Sequence, residues 1–422
     1  MNDFSRRKLI TAFGSGIALA AAPFVISAQT SRHVVVIGGG FGGATAAKYL
    51  RLWSGGTVRV TLVDPAAAHI SCIGSNLVLN GQSNLARLTR SYTALQSRGV
   101  VLNPKSAQSV NPVAHQVLLD GGNTLDYDHV IVAPGIDFLP VPGHDFTQIP
   151  HAWIAGPQTT LLRDQLRAMR NGGTFVLTIP TTPFRAHTAP YERACVVADF
   201  FRRNKPNSKV LILDANAGIA AMSRTFTAAF TAFNATHPGI VTYRPNVTVS
   251  SVNASTKTVT TLIGTVIGTV TADVLNVIPP QKAGRLAFDS GLVPAGGKFA
   301  PVNPLNYEST LFAGSSVHVL GDAQATGQAK SGPMANSQAK VGGAAMVRAL
   351  AGEGAAPAPK TPAGAVPPIT FRTASWTSTT YALVNGVMTA VPGTPAEAPE
   401  PSDDIREEGA GWLTNLLSDS FT

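Results

Sequence analysis

Charge is scarce in this chain of 422 residues: Asp, Glu, Lys and Arg together make up 13% of it, well below the usual quarter. Disorder requires high charge with low hydrophobicity. With 44% apolar residues the chain has neither, and its length suggests two or three packed domains. Cysteine is scarcer still, with only Cys72 and Cys195. At most one disulfide is possible, and no C-x-x-C-H is present, so the chain attaches no c-type haem of its own. No His or Cys spacing resembles a zinc site, so no metal is expected. Beyond residue 28 no apolar run approaches the roughly 18 residues that mark a membrane span, so stable membrane insertion is not expected. Acidic residues are outnumbered and the net charge is +9. Arg6, Arg7 and Lys8 against Asp3 account for +2 of it, leaving about +7 on residues 29–422. No dense Lys/Arg run interleaves with aromatics there, which argues against nucleic acid. A diffuse basic surface or a face for an acidic protein remains.

What is present begins with Ser5-Arg6-Arg7-Lys8-Leu9-Ile10, followed by a weakly apolar run to Ile26 that contains Thr11, Ser15 and Pro23. An arginine pair before a moderately hydrophobic stretch reads as a twin-arginine export signal. Cleavage is expected after Ala28, with an uncleaved anchor as the alternative. A periplasmic location is therefore expected.

The strongest chemical signal follows at once. His33-Val34-Val35-Val36-Ile37 reads as a buried parallel strand. Gly38, Gly40 and Gly43 then match G-x-G-x-x-G, and a helix of small residues runs on to Leu50. Gly38 permits the tight turn, Gly40 lets the backbone approach a pyrophosphate, and Gly43 lets the helix pack on the sheet. The helix N-terminus offers free N–H groups to the phosphates. A second strand, Val58 to Val63, ends in Asp64, about 20 residues after the loop, where a carboxylate accepts from ribose hydroxyls. Strand, loop, helix, strand and acid in this order predict a dinucleotide site.

A second unit of this kind is expected over 151–285, with strands at Gly173–Ile179 and Lys209–Asp214. No glycine fingerprint follows its first strand. Pro180-Thr181-Thr182-Pro183 stands there instead, and prolines lack the N–H groups that cradle phosphate. Nicotinamide binding in this unit is not expected. Gly352 to Pro368, rich in Ala, Pro and Gly, reads as a linker or a rigid extended connection, Ile369 to Val391 as antiparallel strands, and Trp412 to Phe421 as a short amphipathic segment that packs on the body or on a partner.

Two later strands, Tyr127–Val132 leading to Ala133-Pro134-Gly135 and Val317–Leu320 leading to Gly321-Asp322, resemble segments of two-domain flavoproteins, and they favour FAD as the dinucleotide. Further pieces are Ser71-Cys72-Ile73-Gly74-Ser75-Asn76, Pro183-Phe184-Arg185, Pro190-Tyr191-Glu192-Arg193-Ala194, Ile278-Pro279-Pro280-Gln281 and Lys330-Ser331-Gly332. With these the chain resembles, over nearly its whole length, the flavoprotein subunit of flavocytochrome c sulfide dehydrogenase, a relative of sulfide:quinone reductases. The resemblance implies two Rossmann-like dinucleotide-binding domains, one for FAD and one NAD-like, with a small C-terminal α+β domain. The divisions expected are 1–28 for the signal, 29–150 and 286–350 for the FAD domain, 151–285 for the NAD-like domain and 351–422 for an interface domain. It implies a covalent link from Cys72 to the flavin, ribityl or pyrophosphate binding by Asp322 and a c-type cytochrome partner on another chain. It also implies a redox disulfide that handles sulfur.

That last feature is missing. Ala186 stands where the family has its first redox cysteine, and no cysteine follows Cys195. Thiol–disulfide exchange needs a thiolate and a leaving sulfur, which alanine cannot supply. The expectation is an FAD oxidoreductase that takes electrons from a reduced sulfur compound, a small-molecule reductant, and passes them to a cytochrome. The alternatives are a flavin-binding partner subunit without turnover and a flavoenzyme for a non-sulfur donor. Glu192 is the candidate acid–base residue, with a salt bridge to a nearby Arg as the alternative. Asp322 as a helix cap, His187 as an exposed loop residue, Cys195 as a buried inert thiol and a Cys72–Cys195 disulfide are the competing structural readings.

Overall fold

A computed structural model describes residues 32–354 and 357–422. The expected export signal lies outside these residues. Strand β1 (His33–Ile37) is buried along its whole length because it occupies the middle of a five-stranded parallel sheet. The order across that sheet is Val317–Val319, His129–Val132, β1, β2 (Arg59–Val63) and Val100–Asn103. A central parallel strand covered on both faces accepts only apolar side chains, and Val34, Val35 and Val36 meet that demand. Helix α1 (Phe41–Trp53) leaves β1 through the glycine bend. Its small residues Ala44, Ala46 and Ala47 are fully buried.

A second parallel sheet has four strands in the order Val241–Arg244, Lys209–Asp214, Thr174–Ile179 and Val274–Val277. Helix α2 (Ala189–Asn204) crosses from the second of these regions' first strand to its neighbour, with Tyr191, Ala194, Cys195 and Phe201 buried on its inner face. Both sheets are flanked by helices, which gives the α/β class expected.

The first core then recruits the end of the chain. Helix α3 (Gly332–Leu350) packs on α1. A Cβ at Gly42 would sit 3.7 Å from the Ala335 methyl, so the two helices approach to ordinary van der Waals contact. Helix α4 (Asp403–Phe421) opens with Ser402, whose hydroxyl accepts from the Ile405 N–H at 3.2 Å, and with Asp403 and Asp404 in its first turn, the charges a helix N-terminus favours. At its far end, the Asp419 carboxylate accepts from Tyr49 at 2.5 Å, Lys340 at 2.6 Å and Asn336 at 2.8 Å. Leu417 and Phe421 join the first core.

Two readings of the C-terminal segment are corrected. The stretch read as a linker contains a strand, Lys360–Ala365, paired antiparallel with Thr377–Val384. Its Pro362 is tolerated because this strand lies at the sheet edge, where a missing N–H costs no ladder bond. The tail from Trp412 is not a short segment but the second half of the 19-residue α4.

Candidate functional site

The glycine bend is shaped by sterics on one side and left open on the other. Gly38 has φ +97°, and a Cβ there would lie 2.3 Å from the Ala133 carbonyl oxygen. A Cβ on Gly43 would lie 1.8 Å from the Gly38 oxygen, inside any allowed contact. Gly40 differs: its missing Cβ meets only His69 Cε1, at 3.9 Å. Gly40 is also the N-cap of α1 and makes no side-chain cap, so the helix presents uncapped N–H groups beside open space. That is an anion cradle, and it fits a dinucleotide pyrophosphate. Asp64 ends β2 with its carboxylate turned to the bend, accepting from Gly39 N–H at 2.5 Å and Ala66 N–H at 2.8 Å.

This cradle opens into a cavity of about 860 Å³. Gly38, Gly40, Asp64, Cys72, Ala133, Gly135, Glu192 and Asp322 all line it, whereas Gly43 does not; its place is in the packing beneath. The glycine bend, the loops that follow the strands, the first turn of α2 and the inner face of α4 therefore enclose one space. His69, Trp153, Arg185 and Lys330 line it too, and sequence reasoning assigned them no role. Arg185 and Lys330 were visible inside the motif segments; nothing in the sequence marked His69 or Trp153.

Asp322 lies in a short 3-10 turn and caps no helix, which removes the capping reading. Its carboxylate is buried, and Oδ1 has no hydrogen-bond partner. Burial pushes its pKa up, opposed by the charges of Arg185 and Lys330. A buried acceptor without a donor is costly, and a polyol chain supplying hydroxyls satisfies it, so the residue fits a flavin ribityl segment. Beside it, Lys330 donates to the carbonyls of Asp322 at 2.9 Å and Gln324 at 2.6 Å and sits 3.6 Å over the Phe299 ring. Burial brings its pKa down to about 8.

Cys72 is a free thiol, and so is Cys195, which is buried in α2; no disulfide joins them. Arg185 donates to Cys72 Sγ at 3.4 Å and to the Trp153 carbonyl. Ala186 adopts φ +56°, donates its N–H to the Lys330 carbonyl at 2.8 Å and lines the cavity where the resemblance implies a redox cysteine. The neighbouring His187 is not an exposed loop residue. Its ring packs edge-on against Phe184 at 4.9 Å and lines the cavity, with Nε2 enclosed and unpartnered. Burial and the charge of Lys330 lower its pKa, so it is neutral near pH 7.

Glu192 is half-buried in the first turn of α2 on the cavity wall, and burial pushes its pKa up to about 7. Its alternative reading as an ion-pair partner fails. Oε1 accepts from Asn76 at 3.0 Å, while Arg193 spends its donors on Asn76 at 2.9 Å, Asn276 at 2.7 Å and the carbonyls of His151 and Ala152 at 3.2 and 2.5 Å. The acid thus holds a proton that can be exchanged near neutrality.

Comparison with known proteins gives two family profiles. Residues 159–279 match the central part of the sulfide dehydrogenase [flavocytochrome c] flavoprotein chain, and residues 32–163 match pyridine nucleotide-disulphide oxidoreductase. Over 48 residues the chain is 52% identical to the sulfide dehydrogenase [flavocytochrome c] flavoprotein chain of Chlorobaculum thiosulfatiphilum, a match covering 11% of this chain and 98% of that protein. It is 33% identical over 125 residues to ferroptosis suppressor protein 1 of Taeniopygia guttata, covering 29% of this chain and 31% of that protein, so the match spans about a third of that relative. The structure of sulfide:quinone oxidoreductase from Aquifex aeolicus superposes with a TM-score of 0.74 at 15% identity, over 92% of this chain and 91% of that one.

Proposed function

The chain belongs to the family of sulfide dehydrogenase flavoprotein chains, FAD-dependent oxidoreductases, and from that premise we propose that it is an exported enzyme carrying electrons from a reduced sulfur compound, through FAD, to a c-type cytochrome on another chain. Gly38 and Gly40 with the start of α1 hold the pyrophosphate, Asp64 a ribose and Asp322 the ribityl chain, with Ala133 and Gly135 forming the wall beside them. Cys72 is the point of covalent attachment, which retains the cofactor outside the cell. When bound, FAD supplies a two-electron acceptor. The observation that carries this reading is the single cavity in which the open bend at Gly40, the Asp322 carboxylate with its unsatisfied Oδ1 and the Cys72 thiol face one space. Glu192 is the group on this wall placed to exchange a substrate proton. The basic balance of the chain suits an acidic docking face on the cytochrome, and residues 1–28 are assigned to twin-arginine export into the periplasm.

One observation favours a second reading. With a methyl at Ala186, no protein sulfur other than Cys72 lines the cavity among the described residues, so the sulfur compound has to react at the flavin without a protein thiolate, or the donor is not a sulfur species. Anaerobic mixing of purified holoprotein with sulfide, followed by flavin absorbance and then by haem absorbance after cytochrome is added, tests this. Sulfide is expected to bleach the flavin and the cytochrome to become reduced. A flavin untouched by sulfide but bleached by another donor selects the non-sulfur enzyme, and one bleached by neither selects the partner subunit.

A further inference from the structure

The geometry points to Arg185 as the residue that aims and activates Cys72 for its attachment to the flavin. This rests on the reading of Cys72 as the attachment point. Arg185 is held at several places. Its backbone N–H donates to Gln281 Oε1 at 2.8 Å, and Nη2 reaches both the Trp153 carbonyl and Cys72 Sγ, the latter at 3.4 Å. On the other side, Nη1 lies 3.9 Å from Asp322 Oδ2. Its side chain is 16% exposed. The guanidinium therefore bridges the two groups assigned to the cofactor, the thiol and the buried carboxylate whose Oδ1 has no hydrogen-bond partner, across the wall of one cavity.

Among the described residues, two cations act on Cys72, and Arg185 is the one that donates to its sulfur. Arg193 is the other, but its donors are committed to Asn76, Asn276 and two carbonyls. The Cys72 sulfur has a second neighbour, the Trp153 carbonyl at 3.7 Å, which orients the S–H without favouring negative charge. A permanently charged planar donor on the sulfur stabilises the charge that the sulfur carries as a nucleophile.

The step balances as follows. A bond forms between Cys72 Sγ and the methyl carbon on the flavin's benzenoid ring. The Cys72 S–H bond and one methyl C–H bond break. The two protons and one electron pair pass to the ring system, which is left two-electron reduced. Dioxygen then removes the pair and the protons as hydrogen peroxide.

The test compares the full-length exported protein with R185Q, R185M, R185K and C72A. Total bound flavin is read from native absorbance, and linked flavin from intact mass and from colour retained on acid-precipitated polypeptide. Wild type is expected to be linked and C72A unlinked. R185Q is expected to hold flavin natively yet release it on denaturation, with the rate of linkage after FAD addition at least tenfold lower. R185K, which keeps the charge but not the fork, should fall between. Native flavin binding by R185Q or, should that variant not fold, by R185M shows an intact cavity. Linkage at the wild-type rate in such a neutral variant overturns the role of Arg185 alone. Wild-type protein that binds flavin without any linkage overturns the attachment reading and this inference with it.

Discussion

The molecule contains the same strand–bend–helix arrangement twice, and the two bends do opposite things. In the first sheet, β1 runs into Gly38–Gly40 and α1 starts uncapped beside open space. In the second, Thr174–Ile179 runs into Pro180 and Pro183 before α2, so the glycines and free N–H groups of the first bend are replaced by proline. Asp64 and Asp214 end the second strand of each unit. Asp64 lines the cavity. Asp214 is fully buried: its Oδ2 accepts from Tyr191 at 2.7 Å and Tyr243 at 2.9 Å, and its Oδ1 from Asn216. The sheet frame therefore does not decide binding. The residues of the bend, and whatever occupies the acid, decide it.

The sharpest way to break this contrast is within the first bend. Gly43→Ala places a methyl carbon 1.8 Å from the Gly38 oxygen, so β1 and α1 must separate. Loss of folded holoprotein is expected, in the class of the largest single-site effects, above about 4 kcal/mol, measured as soluble yield and thermal melting. Gly40→Ala adds the same methyl to open space at φ −73°, a conformation alanine accepts. The protein should fold and melt nearly as wild type, while FAD affinity falls at least about tenfold, or 1.4 kcal/mol, by flavin fluorescence titration. Equal damage from both variants would mean that the bend is only structural.

Glu192 sharpens the contrast from the other wall. Its pKa is raised by burial from 4.5 to about 7, so the folded state binds more protons than the unfolded state between those values. Stability from this group is full below pH 4.5 and is lost as pH rises through 7. Glu192→Gln keeps an acceptor for Asn76 and removes the ionisation. It should be more stable than wild type above pH 8, by about 3 kcal/mol at one pKa unit per roughly 1.4 kcal/mol, and no different near pH 4. Chemical denaturation at the two pH values reads this directly.

These contrasts also show what a sequence can carry. The first bend was legible because sterics impose it: a Cβ at Gly38 or Gly43 collides with backbone, so the residue type itself reports the geometry. The second was legible in part, since Pro180 and Pro183 stand where the first bend has its glycines. Tyr191 and Tyr243 on Asp214 were not legible, because α2 and the strand Val241–Arg244 meet only in three dimensions. The same holds for Arg185 on Cys72, which bridges 113 positions, and for the choice of His69 as the ring on which Phe421 stacks at 5.1 Å, although the amphipathic pattern of the tail already allowed packing on the body. The strand at Lys360–Ala365 was hidden by composition: Pro and Ala argue for a linker, and only the free edge of the neighbouring sheet turns the segment into a strand.

Occupying Asp214 with tyrosine hydroxyls has a stability consequence smaller than that of the first bend. Tyr191→Phe removes one donor from the buried Asp214 and takes the acceptor from the Ala220 N–H, now 3.0 Å from the hydroxyl. A loss of about 1–3 kcal/mol is expected, read as a lower melting temperature with flavin content unchanged. If flavin content fell with it, the two clefts would be coupled rather than independent.

The smallest expected effect is none, and it bears hardest on the comparison. A nicotinamide dinucleotide needs N–H groups for its pyrophosphate and an acceptor for its ribose. The second unit offers prolines in place of the former and, at Asp214, an acceptor already holding the hydroxyls of Tyr191 and Tyr243. NADH or NADPH mixed anaerobically with the holoprotein should therefore leave the flavin oxidised, and neither should shift the melting temperature. Tyr191→Phe should not change this, because the prolines remain. Rapid bleaching of the flavin by NADH would show that the pyridine nucleotide binds by a route the second bend does not provide, and the rule that bend chemistry decides occupancy would fail for this protein.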